Sequence, residues 1–244
     1  MSRQIFEKHS ILIGISFVLP FLSSNSIAET VVYDAAADWS DIQNPNGVWT
    51  YTGNNGAILT VNQPVWDPGG VFFSGQSAWA DSTLPKPGHV PIWLMSSDPS
   101  ALDMPGVGMH GSEGTVVAWV GIVWRSPVAG QISITGGVWQ ALKTEDDGLR
   151  GSHRARNSDW RLRLNDKILA SGNISGTDGY SSAFPLTFTS GTGGRELSGI
   201  GIAAGDKIVL EFISPTSFAT FNGIDLVITA SEERARPMEA ESRQ

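Results

Sequence analysis

The chain has 244 residues, no cysteine and a formal net charge of −8. The lack of cysteine excludes a disulfide framework, a thiol nucleophile and a cysteine-linked lipid anchor. The acidic balance repels phosphate backbones and argues against nucleic acid as a partner. With 28 glycines, 13 prolines and 9 tryptophans, the composition predicts one large domain that is rich in strands and turns.

The N-terminus has the pattern of a secretory signal peptide over residues 1–28. Arg3 and Lys8 are accompanied by an apolar run over 11–22, which is too short to span a bilayer. Small residues then end at Ala28, where a signal peptidase is expected to cut. The alternative is an uncleaved anchor, which the short run disfavours. We therefore expect an exported protein, periplasmic or extracellular, without a membrane anchor after cleavage.

Alternation of apolar and polar residues predicts about ten strands and little helix. They lie over 30–33, 48–52, 57–61, 116–124, 131–138, 160–164, 167–170, 183–189, 207–213 and 223–229, with shorter ones at 71–73 and 92–95. Turn residues predict two hairpins, one between 48–52 and 57–61 and one through Asn165-Asp166. The pattern predicts a jelly-roll-like antiparallel β-sandwich over 29–230, followed by a disordered polar tail over 231–244.

The segment 116–138, which reads VVAWVGIVWRSPVAGQISITGGV, gives the strongest fold signal. Its two strands are joined by a tight connection over 126–130. The first strand is apolar on both faces, with Val116, Ala118, Val120, Ile122 and Trp124 on one and Val117, Trp119 and Val123 on the other. A strand of this kind is expected in the middle of a packed β-structure.

Several motifs of the chain resemble one class of secreted bacterial β-sandwich modules. The similar blocks are NPNGVWTY at 44–51, His110-Gly111, VVAWVGIVWRSPVAGQISITG, LRLNDKILASGNISG and GIAAGDKIVLEFISPTSFATFNGIDLVI. Such modules occur in exported proteins with a PEP-CTERM sorting tail and beside carbohydrate-active domains, and they resemble galactose-binding-like jelly rolls. The chain departs from them by lacking the sorting tail and by having Asn165-Asp166 in place of Asn-Gly. The resemblance, over 31–229, implies the fold, export and a leaning toward glycans.

The proline-rich segment 62–114 carries the first candidate binding site, because long loops in compact domains are often functional. An indole can stack on the apolar face of a pyranose ring, while carboxylates and imidazoles bind hydroxyl groups. The candidate residues are Trp66, Trp79, Trp93, Asp67, Asp81 and His89. The alternative is that these tryptophans close the ends of the sandwich. The other six, Trp39, Trp49, Trp119, Trp124, Trp139 and Trp160, are predicted to be core residues.

The charged loop over 143–158 carries two further candidates. The carboxylates of Glu145, Asp146 and Asp147 are candidate calcium ligands, although their spacing matches no complete calcium loop. The candidate anion-binding residues, suited to an acidic polysaccharide, are Arg150, His153, Arg154 and Arg156. The alternative is a solvated loop in which the cations neutralise the neighbouring carboxylates.

Motifs for catalysis are weak. The sequence has neither a G-x-S-x-G elbow nor an H-E-x-x-H helix, and His89, His110 and His153 lack metal-ligand spacing. A carboxylate pair for glycoside hydrolysis stays open, since sequence separation does not give distance in space. Three hypotheses follow: a non-catalytic glycan-binding module, a structural matrix or envelope protein that binds another protein, and a jelly-roll hydrolase or lyase. No cofactor is required, structural calcium is a candidate, and the oligomeric state is not predicted.

Overall fold

A computed structural model of the chain describes residues 29–66, 76–80, 92–96, 103, 105–110, 119–141, 156–214 and 220–232. These residues form β-strands and three single-turn 3-10 helices, with no α-helix among them. No helix in this described part is long and apolar enough to cross a membrane. The predicted all-β class with little helix is confirmed.

The strands were numbered in chain order. They are β1 (Thr30–Asp34), β2 (Trp49–Thr52), β3 (Val61–Trp66), β4 (Gln76–Ala80), β5 (Ile92–Ser96), β6 (Gly106–His110), β7 (Trp119–Arg125), β8 (Gly130–Gln140), β9 (Asn157–Leu164), β10 (Lys167–Ser175), β11 (Leu186–Thr187), β12 (Ile200–Ile202), β13 (Lys207–Ile213) and β14 (Phe221–Glu232). The short 3-10 helices cover Asn54–Gly56, Phe188–Ser190 and Gly194–Glu196.

Two antiparallel sheets make the fold a β-sandwich. The larger has nine strands in the order β11-β8-β14-β6-β5-β4-β3, with β1 also pairing β14 and β12 also pairing β8. The smaller has five strands in the order β10-β9-β13-β7-β2. Inward side chains of both sheets share one core, because alternate residues of a strand point to the same face.

Aromatic side chains fill much of this core. Trp49, Trp93, Trp124 and Trp160 are at most 1% exposed. The ring of Trp160 meets the Phe188 ring edge-on with centroids 5.7 Å apart, a favoured aromatic geometry. Trp49, Trp124 and Trp160 therefore lie in the core as the sequence predicts.

The connection after β7 crosses between the sheets and does not form a hairpin. β7 pairs β13 and β2 in the smaller sheet, whereas β8 pairs β14 in the larger one. The buried Ser126 starts the crossover, where its backbone N–H donates to the Asp206 carbonyl at 2.8 Å. An inward apolar pattern is the same for a hairpin and for a crossover, so the sequence did not distinguish them.

Other predicted elements differ in detail. The hairpin expected between 48–52 and 57–61 is reduced to one bridge between Thr52 and Ile58, because β3 belongs to the other sheet. The predicted hairpin through Asn165-Asp166 is confirmed as β9–β10, with Asn165 at a φ of 52°.

The ends of the predicted segments also shift. The strand expected over 183–189 shrinks to β11, and Phe184, which precedes it, is 76% exposed. β14 continues through Glu232 into the predicted tail. The expectations for 1–28, 71–73 and 233–244 lie outside the described residues.

One asparagine side chain fixes the end of the sandwich that carries the 44–51 block. The Asn44 Oδ1 accepts a hydrogen bond from the Tyr51 N–H at 2.8 Å. Its Nδ2 donates to the carbonyls of Tyr51 and Leu59, each at 2.8 Å. Burial, with a smaller contribution from the Asp38 carboxylate, raises the pKa of Tyr51 above its ordinary value. The first block of the family resemblance therefore has a structural role.

Candidate functional site

Two of the tryptophans predicted to bind ligand are core residues rather than exposed stacking platforms. Trp79 on β4 is 4% exposed, and its Nε1 donates to the Ser40 carbonyl at 2.9 Å. Trp93 on β5 is fully buried, and its Nε1 donates to the Thr52 carbonyl at 3.1 Å. The physical reason is that β4 and β5 run through the proline-rich segment, and these two positions face the core.

The remaining predicted residues are mostly outside the described part of the chain. Trp66 ends β3, but its side chain is not described, and neither are Asp67, Asp81 and His89. The same holds for Glu145, Asp146, Asp147, Arg150, His153 and Arg154, whereas Arg156 is half-buried just before β9. Among the described residues, no group of three His, Asp or Glu is placed to hold a metal ion. The calcium and anion sites of that loop stay predictions.

The strongest candidate site lies on the side of the smaller sheet that faces away from the shared core, where Val209, Glu211 and Ile213 of the central strand are at most 9% exposed and side chains of the neighbouring strands are more exposed. We call outer face the outward side chains of its three central strands: Trp119, Gly121, Val123, Arg125, Asp159, Arg161, Arg163, Lys207, Val209, Glu211 and Ile213. The register places Glu211 between Arg161 on one neighbouring strand and Gly121 on the other. A tryptophan, a buried carboxylate and arginines thus share one surface.

Trp119 is half-buried on this face and seated against two glycines. A Cβ atom on Gly121 would lie 2.8 Å from the Trp119 Cζ3, and one on Gly56 would lie 2.8 Å from its Cη2. Such distances are too short for real Cβ atoms, so only glycine lets the indole lie this close to the backbone. The ring is therefore held in place while part of it stays exposed to solvent.

An arginine–carboxylate pair lies beside the ring. The Arg163 Nη2 donates to the Oε1 of Glu211, whose residue is 3% exposed. The Arg163 Nη1 donates to the Asn165 carbonyl at 3.2 Å, and the Cζ atom is 5.9 Å from the Trp119 ring centroid. This distance is within cation–π range. Asp166, whose Oδ1 is 3.8 Å from the Arg163 Nη1, is a fourth neighbour, so the guanidinium is held in place next to a partly exposed aromatic surface.

Hydrogen bonds also order both ends of the outer face. Asp159 accepts from the Asn173 Nδ2 at 2.8 Å. At the other end, Asp206 accepts from the Ala203 N–H at 2.8 Å and from the Asn165 Nδ2 at 3.0 Å. The bond from Ala203 and then that from Asn165 lower the pKa of Asp206, because both stabilise the carboxylate. The β9–β10 turn that holds Arg163 is thereby tied to the start of β13.

Chemically, this arrangement offers one aromatic ring and polar groups of fixed direction. An indole attracts the C–H face of a sugar, and a planar guanidinium presents donors to hydroxyl or carboxylate oxygens. The sequence placed Trp119 in the core because its strand is apolar on both faces. The sequence did contain a signal for an outward Trp119. Along the strand it falls on the opposite face to Val120, Ile122 and Trp124, and Gly121, two residues later, is on the same face as Trp119.

A second surface feature is a polar depression of about 540 Å³ on one loop. Its lining residues are Thr189, Ser190, Gly191, Thr192, Gly193, Arg195 and Glu196. No aromatic side chain lines it, so it offers hydroxyl and charged groups without a stacking surface. The outer face combines both kinds of contact and is the stronger candidate.

Comparison with known proteins places the chain in no family. No protein-family model matches it, and no curated protein matches it. Among solved structures, it matches a carbohydrate-binding module, CBM36, solved in complex with calcium and xylotriose. The match has 17% sequence identity and a TM-score of 0.25, and it covers 52% of this chain and 81% of that one. A score this low does not describe a shared overall superposition, so the function is argued from the site.

Proposed function

We propose that this protein is an exported, non-catalytic module that binds a glycan on the outer face around Trp119. The observation that carries the proposal is the partly exposed Trp119 indole, seated on Gly121 beside the ion pair of Arg163 and Glu211. The export step rests on the signal-peptide pattern of residues 1–28.

The chemistry of a sugar fits these groups. A pyranose has an apolar C–H face that loses water contact when it stacks on an aromatic ring, and a polar rim of hydroxyl groups. Arg163 supplies donors at that rim, and a guanidinium already fixed by Glu211 loses little side-chain entropy on binding. A site whose contacts are spread across several strands suits a polysaccharide chain better than a single small sugar, which is bound in a concave pocket.

Binding is favoured over hydrolysis by the state of Glu211, the outer-face carboxylate that pairs with Arg163 beside the ring. Glycoside hydrolysis needs a carboxyl group free to donate a proton and a second one to act on the opposite side of the bond. Glu211 is engaged by Arg163 and is 3% exposed, so it is not free to reach a glycosidic oxygen. We expect no release of reducing sugar from any polysaccharide that the protein retains.

Replacing Trp119 with alanine is expected to weaken glycan binding about tenfold, because loss of an aromatic contact costs about 1–2 kcal/mol. Affinity electrophoresis in gels that contain a panel of neutral and acidic polysaccharides measures this. Trp39→Ala is the matched control, since Trp39 is also half-buried but packs on Tyr51, with ring centroids 4.6 Å apart, outside the outer face.

The gel experiment distinguishes glycan binding at Trp119 from binding elsewhere and from no binding. The wild type should be retarded by at least one polysaccharide, Trp119→Ala much less, and Trp39→Ala as much as the wild type. Absence of retardation by the whole panel, with the folded state verified by thermal unfolding, would refute glycan binding. Loss of retardation in Trp39→Ala alone would place the site elsewhere.

A further inference from the structure

Arg161 is an exposed cation for which the described residues provide no partner. It lies on β9, is exposed, and stands directly opposite Glu211 on β13. Glu211 is bound by Arg163 instead, and Asp159 is bonded by the Asn173 amide. Within the described part of the chain, the Arg161 guanidinium makes no hydrogen bond or ion pair. Its five donors therefore face solvent on the outer face.

The outward side chains of the outer face include more cations than carboxylates, on a protein that is negative overall. The cations are Arg125, Arg161, Arg163 and Lys207, the carboxylates are Asp159 and Glu211, and Asp166 and Asp206 border the face at the β9–β10 turn. The whole chain has 24 acidic and 16 basic residues. Cations grouped on one face attract anionic ligands there even when the net charge of the protein is negative.

We propose that the glycan bound on the outer face is an anionic polysaccharide whose carboxylate or sulfate groups pair with Arg161. This inference rests on the proposed glycan-binding function and names the chemical class of the ligand. A guanidinium binds either group through two parallel N–H···O bonds, which gives orientation as well as attraction.

The strand register allows one chain to reach both groups. Gly121, on which the Trp119 ring sits, and Arg161 flank Glu211 on the two neighbouring strands. Strands in a sheet are about 4.8 Å apart, so the two backbone positions are about 10 Å apart across the face. A polysaccharide stacked on Trp119 and lying across the strands therefore passes Arg161 with its next sugars.

Calorimetric titration of the full exported chain with matched polysaccharides tests the charge preference. The probes are polygalacturonate against its methyl ester, and dextran sulfate against dextran, so that charge is the variable within each pair. We expect the anionic member of at least one pair to bind at least fivefold more tightly. The pair that shows the difference identifies carboxylate or sulfate as the recognised group.

Arg161→Ala tests whether this arginine causes the preference. The charged-to-neutral affinity ratio should fall about fivefold, the size expected of one exposed ion pair of about 1 kcal/mol. Arg195→Ala is the control, since Arg195 is an exposed cation on the loop of the polar depression, outside the outer face. Its ratio should stay at the wild-type value.

Failure of this inference can be told apart from failure of the proposed function. Equal binding of charged and neutral probes, or tight binding of a neutral polysaccharide alone, overturns the anionic class and leaves glycan binding standing. Loss of the preference in Arg195→Ala but not in Arg161→Ala also overturns it, because the anion would then bind at the polar depression. Binding of no polysaccharide at all refutes both.

Discussion

Arg163→Ala is expected to lower the free energy of unfolding by about 3 kcal/mol. In the wild type Glu211 is 3% exposed and its carboxylate accepts a hydrogen bond from Arg163, and the variant removes this guanidinium partner. An unpaired buried charge loses both its hydration and its compensating attraction, which is why breaking one side of such a pair is costly. The figure lies at the low end for buried pairs because the Arg163 side chain is 21% exposed. Urea unfolding monitored by tryptophan fluorescence measures the change.

Two further variants separate the unpaired charge from loss of packing. Arg163→Ala combined with Glu211→Gln should recover at least half of the lost stability, because the neutral amide tolerates the site without a cation. Arg161→Ala, which removes an exposed arginine from the same strand, should change the unfolding free energy by less than about 0.5 kcal/mol. If Arg163→Ala alone were as stable as the wild type, Glu211 would have another partner.

The core strands were predictable because the alternation of apolar residues along each strand matches the alternation of buried residues in the folded sandwich. Val120, Ile122 and Trp124 alternate with outward residues, and all three are at most 1% exposed in the sandwich. The pairing of those strands was not predictable in the same way. β8 pairs β14, whose residues lie about ninety positions later in the chain. The alternation of apolar and polar residues does not indicate which distant strand will be the partner. The crossover after Ser126 follows from such long-range pairing.

The burial of two candidate tryptophans was not predictable for a related reason. Proline density around Trp79 and Trp93 indicated loops, yet β4 and β5 continue the larger sheet and turn both indoles into the core. Trp119 was expected in the core because its strand is apolar on both faces. Whether an outward apolar residue is covered depends on which other segments pack over it, and a single strand does not carry that information. The sequence therefore predicted the scaffold better than the surface that it presents.

The second large effect is expected from Asn44→Ala, which should lower the free energy of unfolding by about 3 kcal/mol. The change removes three hydrogen bonds of 2.8 Å to the backbone of Tyr51 and Leu59. Each buried polar group left unpaired costs about 1–3 kcal/mol, and part of the loss is relieved by water at this half-buried position. Asn46→Ala is the matched control, because its Nδ2 makes a single bond at 2.8 Å to the Asp38 carbonyl and its Oδ1 accepts from the Gln43 amide on the surface. It should cost about 1 kcal/mol.

Asn44 also connects the fold to the proposed binding surface. Its amide holds both ends of the segment between Tyr51 and Leu59, and Gly56 within that segment supports the Trp119 ring. Asn44→Ala should therefore weaken glycan retention as well as stability, even at a temperature where the variant is fully folded. Asn44→Asp keeps the acceptor for the Tyr51 N–H but turns a carboxylate oxygen toward the carbonyls of Tyr51 and Leu59, so its unfolding free energy should be no higher than that of Asn44→Ala. If Asn44→Ala lowered stability and left retention at the wild-type level, Gly56 would not be needed to position Trp119.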